Sequence, residues 1–173
     1  MSKTVLITGA NRGVGRALTK FYLEKAWRVV AAARNPTKVS QEDKVVIVKI
    51  DSSSPTDAQE AVEELKSKPG ITHLDLVIAN AASSQNSAPL VSSSVSTDLI
   101  TNVSGPIALY QATRSLLTDE DAFVAITSTA GSVTGDWGPS LGAYGATKIA
   151  LNFIIRGIHI EEPKLKAFAI NPG

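Results

Sequence analysis

A chain of 173 residues with 17 basic and 16 acidic side chains has a net charge of +1, so no broad field recommends it to nucleic acid or to an anionic membrane. The absence of cysteine excludes disulfides and thiolate metal sites, and the opening MSKTVLITGA lacks the apolar length and cleavage pattern of a signal peptide, which makes the cytoplasm the expected location. A chain of this length buries roughly 70% of its unfolded surface, enough for one core without staples.

The first apolar run, Val5 to Thr8, leads directly into TGANRGVG, where Gly9, Gly13 and Gly15 follow the spacing G-x-x-x-G-x-G and a helical pattern runs from Val14 to Lys25. Glycines at a strand-to-helix turn permit positive φ and bring backbone N–H groups close to an anion, whose charge the helix N-terminus favours. A dinucleotide pyrophosphate fits that context; a tight turn without a ligand is the alternative. No Gly-Lys-Ser/Thr closes the loop, so it is not a Walker site. The second run, Val29 to Ala33, ends at Arg34, where NAD-selective sites place a carboxylate. Arg34 and Arg12, two guanidinium groups, suit a 2′-phosphate, so NADP(H) is expected; otherwise both are ordinary surface arginines.

Asn35 to Lys44 is short for a crossover helix and reads as a loop or a single helical turn. The third run, Val45 to Ile50, ends at Asp51, a plausible N-cap for the helix expected over Thr56 to Lys68. The fourth run, Leu74 to Ala79, precedes a serine-rich stretch, Ser83 to Ser96, read as a surface loop. A long helix is expected over Val95 to Leu117. Pro106 inside it has no N–H for the carbonyl of Asn102, which predicts a kink with that carbonyl released. The sequon at Asn102 matters only in a secreted chain and is discounted.

The fifth run, Phe123 to Thr127, is followed by Ser128, with Ser132 nearby, and by a loop containing Trp137, which either stacks on an aromatic substrate or packs locally. The helix over Tyr144 to Glu161 sets Tyr144 and Lys148 one turn apart on one face. A phenol of pKa about 10 is a poor proton donor at neutral pH, and an ammonium about 4 Å away shifts it by at most on the order of 4 kcal/mol at an effective dielectric of 20. An amphipathic surface pair is the plain alternative. The sixth run, Leu165 to Ile170, ends in Asn171-Pro172-Gly173, and the chain is expected to continue beyond it in a longer natural protein. His73 and His159 have no metal-like partners in sequence, and no metal site is expected. Strand and helix alternate throughout, which predicts an α/β, Rossmann-type doubly wound parallel sheet of six strands with helices on both faces.

TGANRGVG, the NAA of Asn80 to Ala82, the TSTAGS of Thr127 to Ser132, YGATK and the closing NPG stand in the order found in the short-chain dehydrogenase/reductase family. The chain resembles that family over its whole length, and in HLDLVIANAA, TAGSVTG and AYGATKIALNF it is similar to the fungal norsolorinic acid ketoreductase-like branch. The resemblance implies one NADP(H)-binding domain over 1–173, with the seventh strand and substrate loop of the family missing. It implies pro-S hydride transfer between the nicotinamide and a ketone or aldehyde, with an aromatic or polyketide-type substrate in view. The catalytic group carries over as Ser128, Tyr144, Lys148 and Asn102, with Ser132 the rival serine and the Asn102 carbonyl on a water relay. The cofactor residues carry over as Gly9, Asn11, Arg12, Gly13, Val14, Gly15, Arg34, Asp51 (to the adenine amino group), Asn80, Ala81, Tyr144, Lys148, Pro172 and Gly173. Ala82 replaces the family's usual glycine. Pairing through helices 95–117 and 144–161 implies a homodimer or homotetramer. A catalytically silent NADP(H)-binding sensor is the other reading.

Overall fold

The computed structural model describes residues 2–68, 70–84, 92–135 and 141–173, with the backbone alone at 92–94. The strands are β1 (Thr4–Thr8), β2 (Arg28–Ala33), β3 (Val45–Lys49), β4 (Leu76–Ala79), β5 (Ala122–Ile126) and β6 (Lys166–Ile170). The α-helices are α1 (Gly13–Glu24), α2 (Asp57–Ser67), α3 (Ser92–Leu99), α4 (Gly105–Thr113) and α5 (Gly142–Glu161). All strand pairings are parallel, and the order β3-β2-β1-β4-β5-β6 reverses direction of growth between β1 and β4. That reversal opens a crevice at the carboxyl ends of the two central strands.

The apolar runs lack strict alternation because both sheet faces are covered. Val5, Ile7, Val29, Ala31, Ala33 and Ile78 pack with Leu18, Tyr22 and Leu23 of α1. Leu6, Val30, Val77, Phe123 and Ala125 face the other way, against Leu65 of α2, Leu109 of α4 and Leu151 and Ile155 of α5. The predicted doubly wound α/β architecture is present. At β6 the expected double cover fails among the described residues: Phe168 and Ile170, on one face, are 45% and 41% exposed.

One further reading holds and two are revised. The segment Asn35 to Lys44 holds a single 3-10 turn, Pro36–Lys38, as its length suggests. The serine-rich stretch expected as loop through Ser96 is already helical from Ser92, and the long helix expected over 95–117 is broken. A π turn, Ile100–Ser104, joins α3 to α4 and closes the Gly105 N–H onto the Ile100 carbonyl, while a 3-10 turn, Arg114–Leu116, ends the segment. The widened ladder lies immediately before Pro106, which has no N–H to donate to the Asn102 carbonyl. Trp137 lies outside the described residues.

Candidate active site

The crevice is tied shut at its base by a threonine. Thr8 Oγ1, at the end of β1, accepts the N–H groups of Asn80 and Ala81 at 3.0 Å each, and the Asn80 amide donates to the Thr8 carbonyl at 2.8 Å. Asn80, carried over as a cofactor residue, thus has its amide nitrogen engaged in bracing β4 to β1. Thr8 itself escaped the sequence reading, because its partners stand 72 and 73 positions away. Gly9 follows with φ +66°, and a Cβ there would stand 3.0 Å from Ala81 Cα and from Asn80 Nδ2. Gly15 faces inward: a Cβ would overlap the Gly9 carbonyl and come 2.6 Å from Asn80 Nδ2. Replacing Gly15 by Ala should therefore push the turn out of shape, costing about 1–3 kcal/mol and weakening dinucleotide binding; thermal melts and a dinucleotide titration check both.

A cleft of ≈ 940 Å³ runs from this turn along the strand ends. Of the residues expected to hold a cofactor, Gly9, Asn11, Arg12, Gly13, Val14, Arg34, Asp51, Asn80, Ala81, Tyr144, Lys148, Pro172 and Gly173 all line it; Gly15 does not. The α1 N-terminus carries no acidic residue in its first turn and no side-chain cap on Arg12, so its N–H groups and partial positive charge are left for an anion. Asn35 and Lys38 also line the cleft, Lys38 through the 3-10 turn. A lysine four positions after Arg34 was the available signal for it. Asp51 does not cap α2: its Oδ1 accepts from Ser53 N and Oγ at 3.0 and 2.7 Å, while Ser54 Oγ accepts from the Asp57 N–H at 3.2 Å.

At the opposite end, β5 delivers Ile126, Thr127 and Ser128 to the cleft wall, and α5 delivers Tyr144 and Lys148. Ser128 Oγ accepts from the Ala130 N–H at 3.1 Å, leaving its hydrogen to donate, and it lies within hydrogen-bonding reach of the Tyr144 phenol. Ser132, the rival, is exposed, does not line the cleft and sits 3.4 Å from Thr134 Oγ1. Lys148 is only 2% exposed; its Nζ donates to the Ile126 carbonyl at 2.9 Å and stands 5.4 Å from the Tyr144 ring centroid. Burial pushes the Lys148 ammonium down to about 8. The phenol moves opposite to the expected direction: burial raises its pKa, the Ser128 hydrogen bond lowers it, and the charge of Asp98 raises it.

Asn102 is wholly buried and outside the cleft lining, so its sequon is closed to modification. Its side chain holds Ser83, accepting from the backbone N–H and donating to the carbonyl at 2.8 Å each, and donates to Thr147 Oγ1 at 3.0 Å. His73, for which the sequence offers no metal-like partners, lies 3.8 Å from Asp75 and 3.6 Å from Asp121, bordering β4 and β5 at the end of the sheet away from the cleft. Those carboxylates also accept the N–H groups of Thr4 and Thr118, at 2.7 and 2.6 Å, which fastens the strand entries. His159 is exposed on α5.

A turn that presents N–H groups to an anion thus shares one cleft with a serine, a tyrosine and a lysine. The short chain dehydrogenase family profile matches residues 3–173. Norsolorinic acid ketoreductase of Aspergillus parasiticus is 36% identical over 97% of this chain and 69% of its own length. Short-chain dehydrogenase RED3 of Pyricularia oryzae is 33% identical over 99% and 76%. Among solved structures, a short-chain dehydrogenase/reductase from Burkholderia multivorans with bound NADP superposes with a TM-score of 0.88 at 22% identity, covering 100% of this chain and 80% of that one. The KRED1-Pglu enzyme gives a TM-score of 0.89 at 27% identity, covering 99% and 74%. With sequence profile, relatives and fold in agreement, the chain belongs to the short-chain dehydrogenase/reductase family, alongside fungal norsolorinic acid ketoreductases.

Proposed function

We propose that the protein is an NADPH-dependent carbonyl reductase that acts on a ketone or aldehyde, with aromatic, polyketide-type ketones the first candidates. The observation that carries this reading is the single cleft joining Arg12, Arg34 and Lys38 at one end to Ser128, Tyr144 and Lys148 at the other. The residues fit a nicotinamide dinucleotide: the α1 N-terminus and Gly9 turn would hold the pyrophosphate, the arginines a 2′-phosphate, and Asp51 the adenine edge. The names of the fungal relatives support the substrate class.

A dihydronicotinamide held by these residues would supply the hydride for a carbonyl carbon. Tyr144 donates its phenolic proton to the carbonyl oxygen, and Ser128 donates a hydrogen bond to the same oxygen. Lys148 fixes the tyrosine end of α5 and offers its remaining N–H donors to the cofactor ribose. The Asn102 carbonyl, to which Pro106 has no N–H to donate, would start a water relay toward Lys148. The broken helical segment 95–117 and α5 would form the surface for a homodimer or homotetramer, a reading supported by Phe153 and Ile160 on α5, which are 75% and 63% exposed.

NADPH oxidation measured with aromatic ketones, quinones and aldehydes tests the activity. Turnover with none of them, with NADPH binding intact, would favour the silent sensor. Arg34→Asp is expected to weaken NADPH at least ~10-fold relative to NADH, the worth of one charge-assisted pair to a phosphate; an unchanged preference removes the case for the 2′-phosphate.

A further inference from the structure

Behind the catalytic tyrosine lies a sealed polar cluster that proton delivery, as described, does not use. Asp98 of α3 is 0% exposed and accepts a 2.6 Å hydrogen bond from the Ser83 hydroxyl. Asn102, four residues on, grips the N–H and carbonyl of the same serine. Its second amide hydrogen goes to Thr147 Oγ1, which in turn donates to the Tyr144 carbonyl at 2.7 Å. Ser83 lines the cleft, so three partly buried hydrogen bonds fix a piece of its wall, and the Asn102–Thr147 bond links it to the start of α5.

Burying a carboxylate is expensive, and an amide oxygen would accept the same bond from Ser83 at lower cost. What an amide would not supply is negative charge. The described charged groups that share Tyr144's cleft are Lys148 from its own helix, Asp51, and Arg12, Arg34 and Lys38 of the cofactor end, while Thr127 and Ser128 beyond β5, Thr101 of the π turn and Asn80 to Ser84 beyond β4 are uncharged. Asp98 is the carboxylate built into the network that reaches Tyr144 through Asn102 and Thr147, and its charge works against formation of the tyrosinate.

We propose that Asp98 is a positioning residue whose buried carboxylate pins Ser83 to the cleft wall and holds the Tyr144 phenol in its proton-donating form. The site then works as a reductase to higher pH than it otherwise would. The inference rests on Tyr144 being the proton donor, and the test separates the two.

Asp98→Asn keeps an acceptor for Ser83 and removes the charge; Ser83→Ala removes the pin and keeps the charge. With Cζ-labelled tyrosine, NMR resolves the chain's three tyrosines, Tyr144→Phe identifies the relevant signal, and the titration needs no turnover. Asp98→Asn should titrate Tyr144 at lower pH and lower the reduction rate on the alkaline limb on the order of threefold. Ser83→Ala should leave the titration in place while raising KM. Coincident titrations of wild type and a folded Asp98→Asn would overturn the proposal. A shifted signal with no reductase activity in wild type would instead uphold the electrostatic link and remove the catalytic assignment of Tyr144.

Discussion

Tyr144→Phe is expected to bind NADPH as wild type does and to reduce its ketone ~10²- to 10⁴-fold more slowly, the range that general acid catalysis contributes. The substitution removes one oxygen and keeps the ring, so Lys148 Nζ retains its place over the ring and its bond to the Ile126 carbonyl. Little stability should be lost, because Tyr144 is only partly buried and lines the open cleft. Single-turnover rates, NADPH fluorescence titration and thermal melts read the three quantities separately. A residual rate within about tenfold of wild type would show that a group other than Tyr144 delivers the proton. Ser128 is the obvious rival, since its hydroxyl lies beside the phenol in the same cleft. A loss of cofactor binding equal to the loss of rate would assign Tyr144 to binding alone.

How far this site was legible in the sequence follows from the range of the contacts. The glycine turn, Arg34 and the Tyr144–Lys148 pair are local patterns, each readable from neighbours within one or two turns. The buried strands were also legible, since a parallel sheet covered on both faces leaves continuous apolar runs at β1 and β2. An interruption near Asn102 was deducible because proline lacks a donor, although its form, a π turn over Ile100–Ser104, carried no local signal. Thr8, Ser83 and Asp98 left no local trace. Their partners lie 72, 19 and 15 positions away, and a threonine, a serine and an aspartate at such spacings read as ordinary turn and surface residues. The direction of the Tyr144 shift was misjudged for the same reason: helical spacing places the lysine, but only the fold supplies burial and Asp98.

Lys148→Met is expected to abolish most of the activity and to make the protein more stable at pH 7. Burial holds the Lys148 ammonium at about 8 against an ordinary 10.5. Between those values the unfolded chain binds a proton that the folded chain releases, so wild-type stability rises with pH across that window. Below about 8 both states are protonated, and the folded state carries the whole penalty, roughly 3 kcal/mol. Methionine fills similar volume without the charge and removes that penalty, but it leaves the Ile126 carbonyl without the bond now made at 2.9 Å, a cost of about 1–3 kcal/mol. The net gain at pH 7 is therefore about 1 kcal/mol, worth roughly 2–4 °C in Tm for a chain of this size. It should shrink as pH rises from 8 and change sign before 10.5 is reached, because the penalty fades while the orphaned carbonyl remains. Melts of both proteins from pH 6 to about 10.5 give the test. A variant less stable than wild type at pH 7, with a difference that does not vary with pH, would mean that the ammonium is stabilised by its surroundings. In that event the lysine would be held in place by the fold for its own sake, whereas the expected crossing of the two curves identifies it as a charge retained at the expense of stability because the chemistry in the cleft requires it.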